Sequence, residues 1–179
     1  MIGFAHPRNS GPDGYRLWWG TVGIMLPDRN DWTMSNFAEI RAVATPIEIE
    51  LRWSDQDING HVNNVAILSV MEEARIRATQ EWTATTPGMS GPPRIARSLN
   101  TNFDREVRYG VATSVWVWVP RVGTTSFVLG HLLVQDDRPC AYTEATMVVL
   151  DEATGRPKPH DDTFRKELER HAGPAYRAR

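Results

Sequence analysis

Residues 64–82 read NVAILSVMEEARIRATQEW, and the apolar residues of this stretch repeat with the spacing of an amphipathic helix. Steps of four, three, four and four positions place five apolar side chains on one face: Ile67, Met71, Ala74, Ala78 and Trp82. The pattern predicts a helix of about five turns. One face of this helix must pack against the remainder of the domain.

Strand patterns lie on both sides of this helix. In residues 46–53, charged residues alternate with an apolar set in the two-residue period of a half-buried strand: Ile47, Ile49, Leu51 and Trp53. A proline- and glycine-rich loop follows the helix and leads into four strand-like segments: 94–107, 113–122, 125–135 and 139–150. Short links at 122–124 and 136–138 are typical of hairpins, so we expect these four strands to pair antiparallel as a meander.

The order of one strand, one long helix and four strands predicts an α+β domain. A single amphipathic helix covers only one face of a sheet, so the simplest arrangement wraps an antiparallel sheet around the helix. Val115, Val117 and Val119 alternate with Trp116 and Trp118, which makes both faces of that strand apolar. We therefore expect a second subunit to cover the outer edge or the back of the sheet.

The composition restricts the class of protein. The 179 residues, 41% of them apolar, fit one domain, and 20 basic against 22 acidic residues give a formal net charge of -2. This balance predicts neither a nucleic-acid surface nor a membrane patch. With only Cys140 and no apolar run long enough to span a membrane, we expect a cytoplasmic protein. We divide the chain into an irregular arm at 1–40, the main domain at 41–152, and a tail at 153–179 with a short helix near 162–171.

The stretch between the first strand and the helix is polar, reading WSDQDINGHVNN at residues 53–64. The start of a calcium-binding loop is matched by Asp55, Asp57 and Asn59, followed by a glycine. Such a loop needs a bidentate carboxylate at its twelfth position, which is Ala66 here, so we do not expect calcium. A transition-metal site with two carboxylates and His61 would lack a fourth ligand.

A catalytic site accounts for the same stretch. Backbone N–H groups of the first helical turn, near residues 63–65, have no acceptors within the helix, and the helix dipole favours developing negative charge there. Asp57 lies a few residues upstream, where it can act on a carbonyl held by those N–H groups, as base for a water or as nucleophile. Asn59 and His61 can orient the carboxylate or the water by hydrogen bonds.

The run RWSDQDINGHVNN at 52–64, followed by MEEAR on the helix, resembles the hotdog-fold thioesterases, both the 4-hydroxybenzoyl-CoA thioesterase-like group and the acyl-carrier-protein thioesterases. The resemblance extends over residues 45–150. It implies a sheet wrapped around the central helix, and two subunits joined in one continuous sheet with active sites at their interface. It further implies hydrolysis of an acyl thioester, preferably of coenzyme A, by a homodimer or a homotetramer built from dimers. No metal or redox cofactor is needed for this reaction.

The resemblance also implies roles for four residues. Asp57 matches the aspartate that acts as nucleophile or base in the first group, and the Asp, Asn and His of the carrier-protein enzymes are matched by Asp57, Asn59 and His61. Asn64 matches the helix-start position whose backbone N–H polarises the thioester carbonyl. Ile67 stands where many relatives have a tyrosine, so a hydroxyl contact in the acyl pocket is absent.

Other polar residues have structural interpretations. We expect Asp55 to close the turn and Asn63 or Asn64 to cap the helix. Ordinary roles are expected at four further positions: exposed acids paired with arginines at Glu72 and Glu73, an inert buried thiol at Cys140, and a satisfied core or interface histidine at His131. Two alternative functions stay open. One is a non-catalytic acyl-CoA-binding or scaffolding module, and the other is a hydratase or dehydratase of acyl thioesters.

Overall fold

The computed structural model describes residues 36–83 and 93–176. Its elements are, in chain order, α1 (Phe37–Arg41), β1 (Thr45–Ile49), one 3-10 turn (Trp53–Asp55), α2 (Asn64–Thr83), β2 (Arg94–Phe103), β3 (Thr113–Val122), β4 (Ser126–Gln135), β5 (Arg138–Val149) and α3 (Asp162–Arg170). The strands form one five-stranded antiparallel sheet in the order β1-β3-β4-β5-β2. The α+β class is therefore confirmed. The predicted arm at 1–40 lies almost entirely outside the described residues. Among the helices that the structure describes, none is both long and apolar enough to cross a membrane.

Helix α2 packs its apolar stripe against one face of the sheet, as the spacing of the stripe predicts. Four members of the stripe are buried, and Trp82 packs against the same core. The facing residues of the sheet include the valines of β3, namely Val115, Val117 and Val119. Burying one such aliphatic side chain contributes about 1.5–3 kcal/mol, so this layer holds the helix in place.

Strand β1 ends at Ile49, four residues before the end that the alternation predicted. Its partner β3 begins at Thr113, and the pair formed by Ile49 and Thr113 is the last in the register. Beyond that pair, β3 has no further strand residue with which β1 could pair, and the chain continues into the 3-10 segment. Trp53, predicted to be on the buried face, is consequently 73% exposed.

The prediction of a four-strand meander was wrong for β2. Only β3, β4 and β5 follow one another through tight turns, and in the β4–β5 turn Asp136 and Asp137 take positive φ angles of 50 and 55 degrees, as such hairpins require. Strand β2 instead pairs with β5 at the edge opposite β1. The connection at 104–112 is too long for a hairpin, and it allows the chain to cross from one edge of the sheet towards the other.

The back of the sheet at Trp118 is covered by the C-terminal segment of the same chain, while a second subunit at the outer edge of the sheet stays a prediction. Trp118 is fully buried, and its indole N–H donates to the Pro174 carbonyl at 2.9 Å. Tyr176 stacks on Tyr142 with ring centroids 3.9 Å apart. Asn36 ties the other end of the domain to this segment, since its amide donates to the Ala175 carbonyl at 2.7 Å. Residues 172–176 have no periodic pattern, so their covering role could not be predicted from the sequence.

Candidate active site

The polar loop between β1 and α2 folds as a small hairpin. The Asp57 N–H donates to the His61 carbonyl at 2.8 Å, and the Gly60 N–H donates back to the Asp57 carbonyl at 3.1 Å. Gly60 has a φ of 77 degrees, a conformation that favours glycine over residues with a Cβ. Val62 then anchors the loop through its N–H to the Val107 carbonyl at 2.8 Å. The loop therefore has a defined backbone directly before α2.

The Asp57 carboxylate is held by Asn59. Its Oδ1 accepts the Asn59 backbone N–H at 2.8 Å, and its Oδ2 accepts the Asn59 side-chain amide at 3.3 Å. The Asn59 N–H lowers the pKa of Asp57 below its usual 3.8, and the Asn59 amide and His61 lower it further against the opposing effect of desolvation. Asp57 is thus an oriented and ionised carboxylate at neutral pH.

The side chain of His61 contacts a residue that the sequence did not suggest. Its Nε2 lies 2.8 Å from Oε2 of Glu106, and the other carboxylate oxygen of Glu106 pairs with Arg108. Glu106 lies on the connection between β2 and β3, far from His61 in the chain, so no local motif marks it. The loop brings His61 close to Asp57 in the backbone, while the Glu106 carboxylate lies next to the imidazole.

The start of helix α2 presents a backbone donor next to this loop. Asn63 caps the helix, because its Oδ1 accepts the Val65 N–H at 2.7 Å, and its own N–H donates to the Asp55 carbonyl at 2.8 Å. Asp55 closes the preceding turn by accepting the Arg52 N–H at 2.7 Å. The structural roles predicted for Asp55 and Asn63 are confirmed. The N–H of Asn64, the first helical residue, has no acceptor within the described part of the chain.

A cavity of about 140 Å³ lies beside the first turns of α2. Its walls come from α2, from β2 and from the inner strands, and include Val65, Leu68, Glu72, Arg75, Leu99 and His131. His131 was expected to be a satisfied core or interface residue, but among the described residues only its Nδ1 has a partner, the Thr143 carbonyl at 3.0 Å. Burial lowers the pKa of His131 to about 4, so the ring is neutral at physiological pH.

The remaining candidates take the expected structural roles. Glu72 pairs with Arg75 at 2.8 Å and Glu73 with Arg77 at 3.6 Å. Cys140 is buried, and burial raises the pKa of its thiol. Across residues 36–83 and 93–176, no group of three or more His, Cys, Asp or Glu side chains is arranged to hold a metal ion.

Comparison with known proteins assigns the chain to a family. Residues 51–168 match the model of the thioesterase-like superfamily. A predicted thioesterase from Bacillus stearothermophilus is 25% identical, with a TM-score of 0.66 over 74% of this chain and 98% of that one. A thioesterase from Thermus thermophilus, complexed with coenzyme A and Zn, is 26% identical, with a TM-score of 0.61 over 69% of this chain and 90% of that one.

A DHNA-CoA thioesterase from Staphylococcus aureus shares the fold at 19% identity, with a TM-score of 0.62 over 71% of this chain and 87% of that one. The comparison with curated proteins finds no match. The family match covers more than half of the chain, and it includes the loop, helix α2 and the cavity. The chain therefore has the hotdog fold and belongs to the thioesterase-like superfamily, a family of thioester hydrolases.

Proposed function

We propose that this protein hydrolyses acyl-CoA thioesters to the free acid and the thiol. The observation that carries the proposal is the Asp57 carboxylate, oriented by Asn59 and lying a few residues before the N–H of Asn64, which has no acceptor among the described residues. A carboxylate can serve as base or nucleophile for thioester hydrolysis, and a backbone donor at a helix start can stabilise the oxyanion. Coenzyme A is the proposed carrier, in keeping with the coenzyme A held by the Thermus thermophilus thioesterase.

Two routes use the same groups. In the first, Asp57 takes a proton from water as the water oxygen attacks the carbonyl carbon. The carbonyl oxygen gains negative charge, which the Asn64 N–H and the helix dipole stabilise. The C–S bond then breaks, and the thiolate leaves with the proton that Asp57 holds. Asn59 keeps the carboxylate oriented, and His61, positioned by Glu106, orients the water.

In the second route, an Asp57 oxygen attacks the carbonyl carbon directly and the thiolate leaves, forming a mixed anhydride that water then hydrolyses. A single turnover in water labelled with heavy oxygen identifies the second route wherever the label appears in Asp57. Attack by water puts the label into the released acid alone, whereas a mixed anhydride opened at the Asp57 carboxyl carbon leaves an unlabelled acid and a labelled Asp57.

The proposed active form is a homodimer, or a homotetramer built from dimers. Within the described residues the outer edge of β2 has no strand partner, and an unpaired edge is a template for pairing with another chain. Leu99 and Phe103 on this strand are 51% and 39% exposed. A second copy at this edge would cover them, and it would lie next to the cavity, because Leu99 is also one of its lining residues. The proposal involves no nucleic acid and no membrane, and it places the enzyme in the cytoplasm.

The test is thiol release from a panel of acyl-CoAs by the wild type and by Asp57→Asn. The substitution keeps the size of the side chain and removes the base, so the rate should fall by about 10²–10⁴-fold. Asp55→Asn is the matched control, because its oxygen can still accept the Arg52 N–H, and it should retain the wild-type rate. Equal rates for Asp57→Asn and the wild type would remove Asp57 from the mechanism. Binding of acyl-CoA without turnover would identify a non-catalytic binding module.

A further inference from the structure

The cavity beside α2 contains two buried polar side chains that the proposed reaction does not use. Arg75 is 8% exposed and His131 is 1% exposed, and both line the cavity together with apolar residues. Charged and polar side chains are rarely buried unless they have partners. Their positions in the wall of a cavity that starts next to Asn64 suggest a role in recognising what the cavity holds.

The tautomer of His131 follows from its one hydrogen bond. Nδ1 lies 3.0 Å from the Thr143 carbonyl oxygen, which can only accept, so the proton of the neutral ring is on Nδ1. Nε2 is therefore an acceptor, and it has no partner among the described residues. A buried acceptor without a donor is costly, so a group that enters the cavity with an O–H or N–H would be favoured there.

Arg75 supplies donors to the same cavity. Its guanidinium donates to Glu72 at 2.8 Å, the one hydrogen bond that the described residues provide to this group, although a guanidinium has several N–H donors. Arg75 and His131 line the same cavity, one from helix α2 and the other from strand β4. The wall therefore offers N–H donors from Arg75 and an acceptor from His131.

The distance of this pair from the reaction site sets the length of the ligand. Arg75 reaches back to Glu72, which follows Asn64 by eight residues, a distance of about 12 Å along the helix axis. In the sheet, His131 lies opposite Thr143, and the Thr143 hydroxyl contacts Met71. Met71 precedes Glu72 on the helix and is therefore one residue nearer to Asn64. An extended peptide advances by about 3.3–3.6 Å per three bonds, so an acyl chain of roughly ten carbons would cover this distance.

We propose that Arg75 and His131 bind a hydroxyl group at the far end of the substrate's acyl chain. A hydroxyl can accept from the Arg75 guanidinium and donate to His131 Nε2 at once, whereas a methyl group can do neither. A carboxylate would pair with Arg75 but would face the lone pair of Nε2. The inference rests on the proposed function, because it places the thioester carbonyl at the Asn64 N–H.

The experiment compares kcat/KM for three coenzyme A thioesters of equal chain length: decanoyl, ω-hydroxydecanoyl and ω-carboxyl-ended. The wild type should prefer the ω-hydroxy thioester over decanoyl-CoA by tenfold or more, because the plain chain leaves buried polar groups unpaired. Arg75→Met should reduce this ratio to about one. Arg77→Met, on the exposed side of the same helix, is the matched control and should keep both the ratio and the rates.

A ratio of one in the wild type, or a ratio unchanged by Arg75→Met, would overturn the inference, as would a preference for the carboxyl-ended chain. Calorimetric binding of the same three thioesters provides a second measurement that needs no turnover. If the wild type hydrolyses none of them, the proposed function fails, and the binding ratio still decides whether Arg75 and His131 recognise the hydroxyl. The wild-type ratio also tests the inference if Arg75→Met does not fold.

Discussion

Replacing Asn64 with proline removes one backbone N–H at the point where we place the thioester oxygen. Asn64 is the first residue of α2, and its N–H has no acceptor within the described residues, so the fold does not depend on this donor. Proline is well tolerated at the first helical position, and the preceding cap residue favours the extended backbone that proline requires. Asn64→Pro should therefore change the oxyanion site and leave the helix intact.

The expected size of the effect follows from comparable oxyanion donors. Loss of one such donor costs about 2.7–4 kcal/mol of transition-state stabilisation, so kcat should fall by about 10²–10³-fold. Asn64→Ala is the matched control, since it removes the side chain and keeps the N–H, and it should retain most of the wild-type activity. Thiol release under saturating acyl-CoA measures both variants, with circular dichroism to compare their folds. If Asn64→Pro is as active as Asn64→Ala, the N–H of Asn64 does not hold the oxyanion.

Three further predictions concern the loop, the carboxylate and the sheet edge. Asn63→Ala removes the 2.7 Å hydrogen bond to the Val65 N–H and should lower the free energy of unfolding by about 1 kcal/mol, whereas Asn63→Ser should recover most of this loss. Chemical denaturation measures the stability of both variants. Equal stability of Asn63→Ala and the wild type would contradict the capping role of Asn63. Because Asn59 lowers the pKa of Asp57 and the ionised form is the active one, the acidic limb of the kcat/KM profile should have its midpoint below the usual value of 3.8, and a midpoint above that value would disagree. Phe103→Lys puts a charge on the free edge of β2 and should shift the dimer towards monomer in sedimentation velocity, while an unchanged dimer would move the interface elsewhere.

The features that the sequence predicted well depend on neighbours close in the chain. The helical stripe was correct because its period alone decides which side chains meet the core, and four of its five members are buried. The structural roles of Asn63 and Asp55 were predicted correctly because their side-chain hydrogen bonds join residues no more than three positions apart. The turn that orients Asp57 is equally local, since its partner is Asn59.

The features that the sequence missed depend on which strands become neighbours. The position of β2 next to β5 could not be predicted from the alternation of apolar and polar residues, because this alternation does not indicate which strand pairs with which. Glu106 meets His61 only because the β2–β3 connection crosses near the loop. Arg75 belongs to a charged stretch of the sequence that suggests an exposed face, yet its side chain is buried in the wall of the cavity. Each of these contacts joins segments distant in the chain.

The cover that the C-terminal segment provides over Trp118 also affects how the protein is made. During synthesis, β3 and the indole emerge from the ribosome well before residues 172–176, so the rear of the sheet is a bare apolar surface until the last of these residues is free. The cover over Trp118 thus forms only after residues 172–176 have been synthesised. A nascent chain stalled before residue 172 would leave the Trp118 side of the sheet exposed to solvent.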